Sequence, residues 1–168
     1  MKNYKQILIP FLMLLFLGCD DKSQTTIGKI HWDRDMCARC VMVVSDRQNT
    51  VQFKDPKTNK QYIFDDIGCM AIWFNENKPV YKDSVQIWIT DAKTGKFIDA
   101  KTAFYTTNNI TPMSFGFSAY KLKEEIEGTG EVINYDEVIK RSLSKLQKEQ
   151  PSKHQPAMKC GAGKCGKS

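Results

Sequence analysis

Apolar positions along the chain recur in two rhythms, and the rhythm changes several times. Val41-Met42-Val43-Val44 is a β-branched run that reads as a strand, and Thr50 to Phe53 reads as a second. Asp55-Pro56-Lys57-Thr58-Asn59 is turn chemistry, and Gln61-Tyr62-Ile63-Phe64 follows as a third strand. Ile67, Met70, Ala71 and Phe74 then fall at helical spacing, predicting a helix from Ile67 to Asn75 with Asp65 or Asp66 as its cap. From Ser84 to Thr90 the period returns to two: Val85, Ile87 and Ile89 alternate with Gln86, Trp88 and Thr90, a strand with an aromatic on its other face. A turn over Ala92–Lys96 leads to a strand at Phe97-Ile98, and Thr102 to Thr106 is a further strand rich in aromatics. Gly116 to Tyr120 leads into an expected helix near Lys121–Glu127, ended by Gly128. Glu131 to Asn134 is a last strand, and Asp136 is positioned to cap a helix through about Leu146. The order strand, strand, helix, strand occurs twice. The expected fold is therefore α+β, two small related units packed together, although no sequence repeat accompanies the structural one.

The two ends follow different rules. Lys2 and Lys5 precede an apolar run from Ile7 to Leu17, which closes on Gly18-Cys19. This is the pattern of a secretion signal, too short to span a bilayer, and its ending resembles the bacterial lipobox, in which the cysteine is acylated. Residues 1–18 are expected to be the signal, Cys19 the lipid anchor, and residues 19–29 a polar tether. The expected location is the periplasmic face of the cell envelope. Residues 30–146 form one ordinary domain, and 147–168 read as a flexible polar tail. Basic residues exceed acidic ones by 6 over the whole chain, but the lysines are scattered. Nucleic-acid recognition needs a focused basic face, so that class is set aside.

Sulfur is the strongest chemical signal. Met36-Cys37-Ala38-Arg39-Cys40-Val41-Met42 places four sulfur side chains in seven residues, Cys69-Met70 adds two, and Met158, Cys160 and Cys165 form a third group. Thiolate and thioether are soft ligands that favour Cu(I), whereas zinc seldom takes Met. With Val41 in a strand, Cys40 and Met42 would share a face and supply most of a trigonal Cu(I) site. Each residue also has a plainer reading. Cys37 and Cys40 could form a disulfide or a redox pair; Met70 is better placed as core; Cys69 is equally a buried small residue. The Gly-rich tail carrying Cys160 and Cys165 cannot serve a core, and reads as a metal-capture arm or a disulfide. His31 is expected to be structural, and His154 solvated or allied with the tail thiols. Asp65-Asp66 could be metal or acid–base carboxylates, but a helix cap is the commoner role. No nucleophile elbow and no phosphate-binding glycine loop is present, and an enzyme is not expected.

Four motifs, in order, resemble the NosL family: Asp35 to Met42, Phe64-Asp65-Asp66-Ile67-Gly68-Cys69-Met70, Trp88-Ile89-Thr90-Asp91-Ala92, and Thr111-Pro112-Met113-Ser114-Phe115-Gly116-Phe117. The resemblance runs from about Asp33 to Tyr135. It implies an envelope lipoprotein that binds Cu(I) and supplies it to nitrous-oxide reductase, with that enzyme and a membrane transporter complex as partners. It implies paired ββαβ units like those of the organomercurial lyase MerB. The family's sulfur motifs fall on Cys37, Cys40, Met42, Cys69 and Met113; Cys40, Met42 and Met113 are the expected ligands, with Cys37 next. Val41 stands where the family usually has glycine, and valine is expected to hold that residue extended. The tail cysteines lie outside the family core. The competing functional reading is an envelope thiol–disulfide exchange protein using Cys37 and Cys40; a third is a structural lipoprotein with its thiols in disulfides.

Overall fold

The computed structural model describes residues 27–127 and 129–149. The signal, the lipid anchor Cys19, most of the tether and the tail with Cys160 and Cys165 lie outside the described residues. Among the described residues no helix is long and apolar enough to cross a membrane.

The fold is α+β, with two antiparallel sheets and two helices. The first sheet contains β1 (Val51–Lys54), β2 (Gln61–Phe64), β3 (Ile87–Thr90) and β4 (Phe97–Asp99), in the order β2-β1-β3-β4. Val51 pairs with Phe64 and Ile89, and Phe53 with Tyr62 and Ile87. Paired residues share a face, so one apolar layer spans the three strands. Helix α1 (Ile67–Asn77) covers this layer: the Phe53 ring lies 5.0 Å from Phe74 and 5.6 Å from Trp73. Gln52 and Trp88 point to the opposite face, as the alternation predicts. The segment before β1 closes over the edge strand β2: Ala38 N–H donates to the Ile63 carbonyl at 2.8 Å, and Gln61 Nε2 to the Lys29 carbonyl at 3.3 Å.

The second sheet contains β5 (Phe104–Thr106), β6 (Ser118–Tyr120) and β7 (Val132–Ile133), in the order β6-β5-β7, followed by α2 (Tyr135–Glu149). Tyr105 pairs with Ala119 on one side and Ile133 on the other, and all three are buried with Val138 of α2. A parallel bridge between Asp91 and Ala119 joins the two sheets, and α1 packs against α2.

Three expectations are corrected. Val41–Val44 is not a strand; a single bridge joins Met36 to Val43. The helix expected near Lys121–Glu127 is one 3₁₀ turn, Lys123–Glu125. Of its only two apolar residues, Leu122 is exposed and Ile126 half-buried, and so short a helix does not form without a well-buried face. The last helix is capped by Asn134 rather than Asp136: Asn134 Oδ1 accepts the Glu137 N–H at 3.0 Å, and the helix runs on to Glu149. The second unit is thus strand, strand, 3₁₀ turn, strand, with its full helix after β7.

Candidate metal centre

The Cys37–Cys40 segment is a tight hairpin. Cys37 N–H donates to the Met42 carbonyl at 2.8 Å, and Val41 N–H donates back to the Cys37 carbonyl at 3.1 Å. Closing the loop in this way needs a left-handed residue before the return limb, and Val41 takes it with φ 60°. The extended Val41 expected from its β-branched side chain is therefore overturned by turn geometry. Valine is strained there, because its branched Cβ crowds the backbone. Val41→Gly is expected to stabilise the protein by about 1 kcal/mol, the relief of left-handed strain less the added backbone entropy of glycine. A denaturation midpoint that falls instead would show that the hairpin does not carry this strain.

The hairpin is hooked to β2 through the Ala38–Ile63 hydrogen bond, and β2 runs directly through Asp65 and Asp66 into α1. Cys69 lies in the first turn of that helix, facing the core. Three segments thus meet at the end of an edge strand. The Sγ atoms of Cys37, Cys40 and Cys69 and a carboxylate oxygen of Asp65 all lie within 4.8 Å of one another. Cys37 and Cys69 are 1% and 0% exposed, and Asp65 is buried; Cys40 is half-buried. All three cysteines are free. Cys40 Sγ lies 3.5 Å and 3.7 Å from Asp65 Oδ1 and Oδ2, with its thiol directed to that carboxylate.

Crowding three thiols and a carboxylate means that their ionisations are shared. One negative charge is favoured, and it rests on Cys37. The Cys69 thiol donates to Cys37, and the backbone N–H groups of Cys40, Arg39 and Asp65 also bear on it, bringing Cys37 down to about 4 despite its burial. The other groups move the opposite way. Burial, then Cys37, pushes Cys40 up to about 12. Donation to Cys37, then burial, carries Cys69 well above an ordinary thiol. Asp65 rises to about 6 by burial and by the charge on Cys37.

Asp65 and Asp66 divide their work. Asp66 is the cap: its Oδ1 accepts the Gly68 N–H at 3.0 Å and its Oδ2 the Thr111 hydroxyl at 2.6 Å. Asp65 belongs to the sulfur cluster. The sequence favours capping for the pair, but a single N-terminus uses one cap, and the tandem carboxylate was the available signal for the other role. Met42 stands opposite Cys37 in the hairpin register, so the two side chains leave the same face; Met42 is 50% exposed. Strand alternation with Cys40, the basis for grouping those two residues, is broken at Val41. Met113 is half-buried in the loop that Asp66 holds against α1, and it packs on the core. Phe115 of that loop fills the space beside Gly68, where a Cβ would stand 2.0 Å from its ring. His31 is exposed and paired with Asp35, and takes no part in the cluster. Arg39 straps the hairpin to α1 through Glu76, at 3.2 Å.

No family model matches the sequence, and no curated protein matches it. The fold is similar to that in the crystal structure of the copper chaperone NosL from Shewanella denitrificans, with a TM-score of 0.57 at 15% identity. The match covers 67% of this chain and 95% of that one. The likeness is one of fold.

Proposed function

We propose that this protein binds Cu(I) in the cell envelope and passes it to another protein. The observation that carries this reading is the convergence of three free cysteine sulfurs in one small, largely buried cluster. Soft, closely spaced sulfur donors suit a monovalent d¹⁰ ion that accepts two or three ligands. A likeness to a solved copper chaperone supports the same reading at the level of the fold. Cys37, Cys40 and Cys69 are the proposed ligands. Asp65 is beside them, and Met42, on the same hairpin, and Met113, on the loop that Asp66 ties down, are the further candidates. Disulfide exchange fits this cluster less well. Attack on a disulfide needs an accessible thiolate, whereas here the thiol most ready to ionise is 1% exposed and the more accessible one is pushed up to about 12.

The finer assignments belong to the same proposal. The protein is a binding protein and not an enzyme; it is held to the membrane by an acyl chain on Cys19; and its acceptor is nitrous-oxide reductase, reached with the membrane transporter complex of that system. Cys160 and Cys165 form an accessory capture arm. The test is anaerobic titration of Cu(I) into the reduced protein against a chromophoric Cu(I) chelator. One tight equivalent is expected, retained when Cys160 and Cys165 are both changed to serine, and weakened in the Cys37→Ser, Cys40→Ser, Cys69→Ser triple variant by more than about a hundredfold, the upper end of what losing a mere supporting group costs a metal site. Full affinity in that triple variant would refute the cluster as the site.

A further inference from the structure

We propose that the three cysteines have separate tasks: Cys37 and Cys69 hold the copper, and Cys40 is the port through which it enters and leaves. This inference rests on the copper reading above and adds to it an order of ligand exchange.

The argument is one of access and mobility. Cys37 and Cys69 are 1% and 0% exposed, and neither sulfur can be reached by a macromolecular ligand without opening the core. Cys69 is fixed in the first turn of α1, behind a capped N-terminus. Cys37 sits on the hairpin limb that hydrogen-bonds across to Met42, next to the residue hooked to β2. These two sulfurs lie within 4.8 Å of one another, and two sulfurs satisfy Cu(I) in a digonal site. Cys40 differs on each count. It is half-buried, it lies in the hairpin turn beside the left-handed Val41, and its sulfur is 3.5 Å from the Asp65 carboxylate. Around it the hairpin turns outward a soft and apolar rim, with Val41 63% and Met42 50% exposed. Three equivalent holding ligands would call for three comparable environments.

In the exchange step copper remains Cu(I) throughout. On entry a Cu–S bond forms to Cys40 as a bond to the donor's ligand breaks, and the thiol proton of Cys40 passes to solvent. Bonds to the Cys37 thiolate and to Cys69 then replace the bond to Cys40, and the thiol proton of Cys69 passes to Cys40. Exit reverses the order, with an incoming soft ligand taking copper from Cys40.

The test uses the full chain in detergent, reduced and anaerobic, with Cys160 and Cys165 changed to serine in every version so that only the cluster is read. Each version is loaded with one Cu(I). Its equilibrium affinity is measured by chelator competition, and its rate of transfer to excess chelator by stopped flow. Cys40→Ser is expected to weaken affinity only about tenfold, the cost typical of a supporting group around a metal, yet to slow transfer, because the metal is left on two buried sulfurs with no route out. Cys37→Ser and Cys69→Ala are expected to do the opposite: affinity falls by about a hundredfold or more and transfer accelerates. The direction of the rate change therefore separates a port from a holding ligand. Faster transfer from Cys40→Ser, in proportion to lost affinity, would overturn the inference while leaving the copper reading intact. Absence of copper binding in the parent would overturn both. If Cys40→Ser does not fold, as read by circular dichroism, Cys40→Ala replaces it and the same sign decides.

Discussion

Asp66→Ala is expected to cost the fold about 3 kcal/mol, the sum of a lost helix cap and a lost buried hydrogen bond to a charged acceptor. The carboxylate is fully buried at the N-terminus of α1, where Gly68 N–H and the Thr111 hydroxyl converge on its two oxygens. The N–H groups of Phe115 and Met113 bear on it as well, although burial still pushes its carboxyl above the usual carboxylate range. One side chain therefore starts the helix that carries Cys69 and ties down the loop that carries Met113. Removing it strands several buried donors at once, which costs more than the net value of the bonds themselves. Thr111→Val removes only the loop's share, the hydroxyl's donation to Asp66 and its acceptance from the Gly116 N–H, so it should cost about 2 kcal/mol. Urea unfolding of the parent, both single variants and the double variant gives the coupling between the two residues. A cost for Asp66→Ala no larger than that for Thr111→Val would mean that the helix cap contributes nothing. Gly116 has a part in the same loop: with φ 83° it turns the chain so that its own N–H reaches Thr111 Oγ1 at 3.0 Å.

The strands and the first helix were legible because local pattern and burial agree in them. Val85, Ile87 and Ile89 alternate and Ile87 and Ile89 are buried on the helix face, with Trp88 opposite. Ile67, Met70, Ala71 and Phe74 repeat at helical spacing and lie on the covered face of α1. The Cys37–Cys40 segment was misread because the sequence speaks only of propensity there. Val41 and its neighbours favour a strand, and the requirement that overrides them is the left-handed residue of a four-residue loop, where the resembled family has glycine. Sulfur content announced soft-metal chemistry, but not which sulfurs meet. Cys37 and Cys40 reach Cys69 because the hairpin is hooked to Ile63 at the edge of β2, and β2 leads directly into α1. That pairing is long-range, and no local spacing encodes it. Asp65 was ambiguous for the same reason: two adjacent carboxylates precede α1, and only the position of the hairpin decides which faces the thiols.

The stability of the reduced, metal-free protein is expected to rise between about pH 6 and 9 and to fall above 9, an alkaline optimum set by the thiol cluster. In the unfolded chain each of the three thiols titrates near the ordinary value of 9.0, and Asp65 near 3.8. Folding lowers Cys37 to about 4, so between 4 and 9 the native state has already released a proton that the unfolded chain still binds. Stability rises with pH wherever the unfolded state holds more protons. Asp65, raised to about 6, acts in the other direction below that pH, where the native state holds the extra proton, and offsets the Cys37 contribution from about 4 to 6. Above 6 Asp65 is ionised in both states and the Cys37 contribution stands alone. Above 9 the signs reverse. Unfolding now lets Cys40 and Cys69 ionise, whereas the native cluster holds Cys40 protonated up to about 12 and Cys69 further still. Two thiols oppose folding there, and the fall should be steeper than the rise. The buried phenols of Tyr105 and Tyr135, both pushed up chiefly by burial, steepen it further beyond pH 10. Chemical denaturation under reductant and metal chelator, at intervals from pH 5 to 10.5, gives the profile. Asp65→Asn should extend the rise down to about pH 4, and Cys37→Ser should abolish it. A parent profile that is flat from pH 6 to 9, or one whose rise survives in Cys37→Ser, would show that the cluster's first negative charge is not on Cys37.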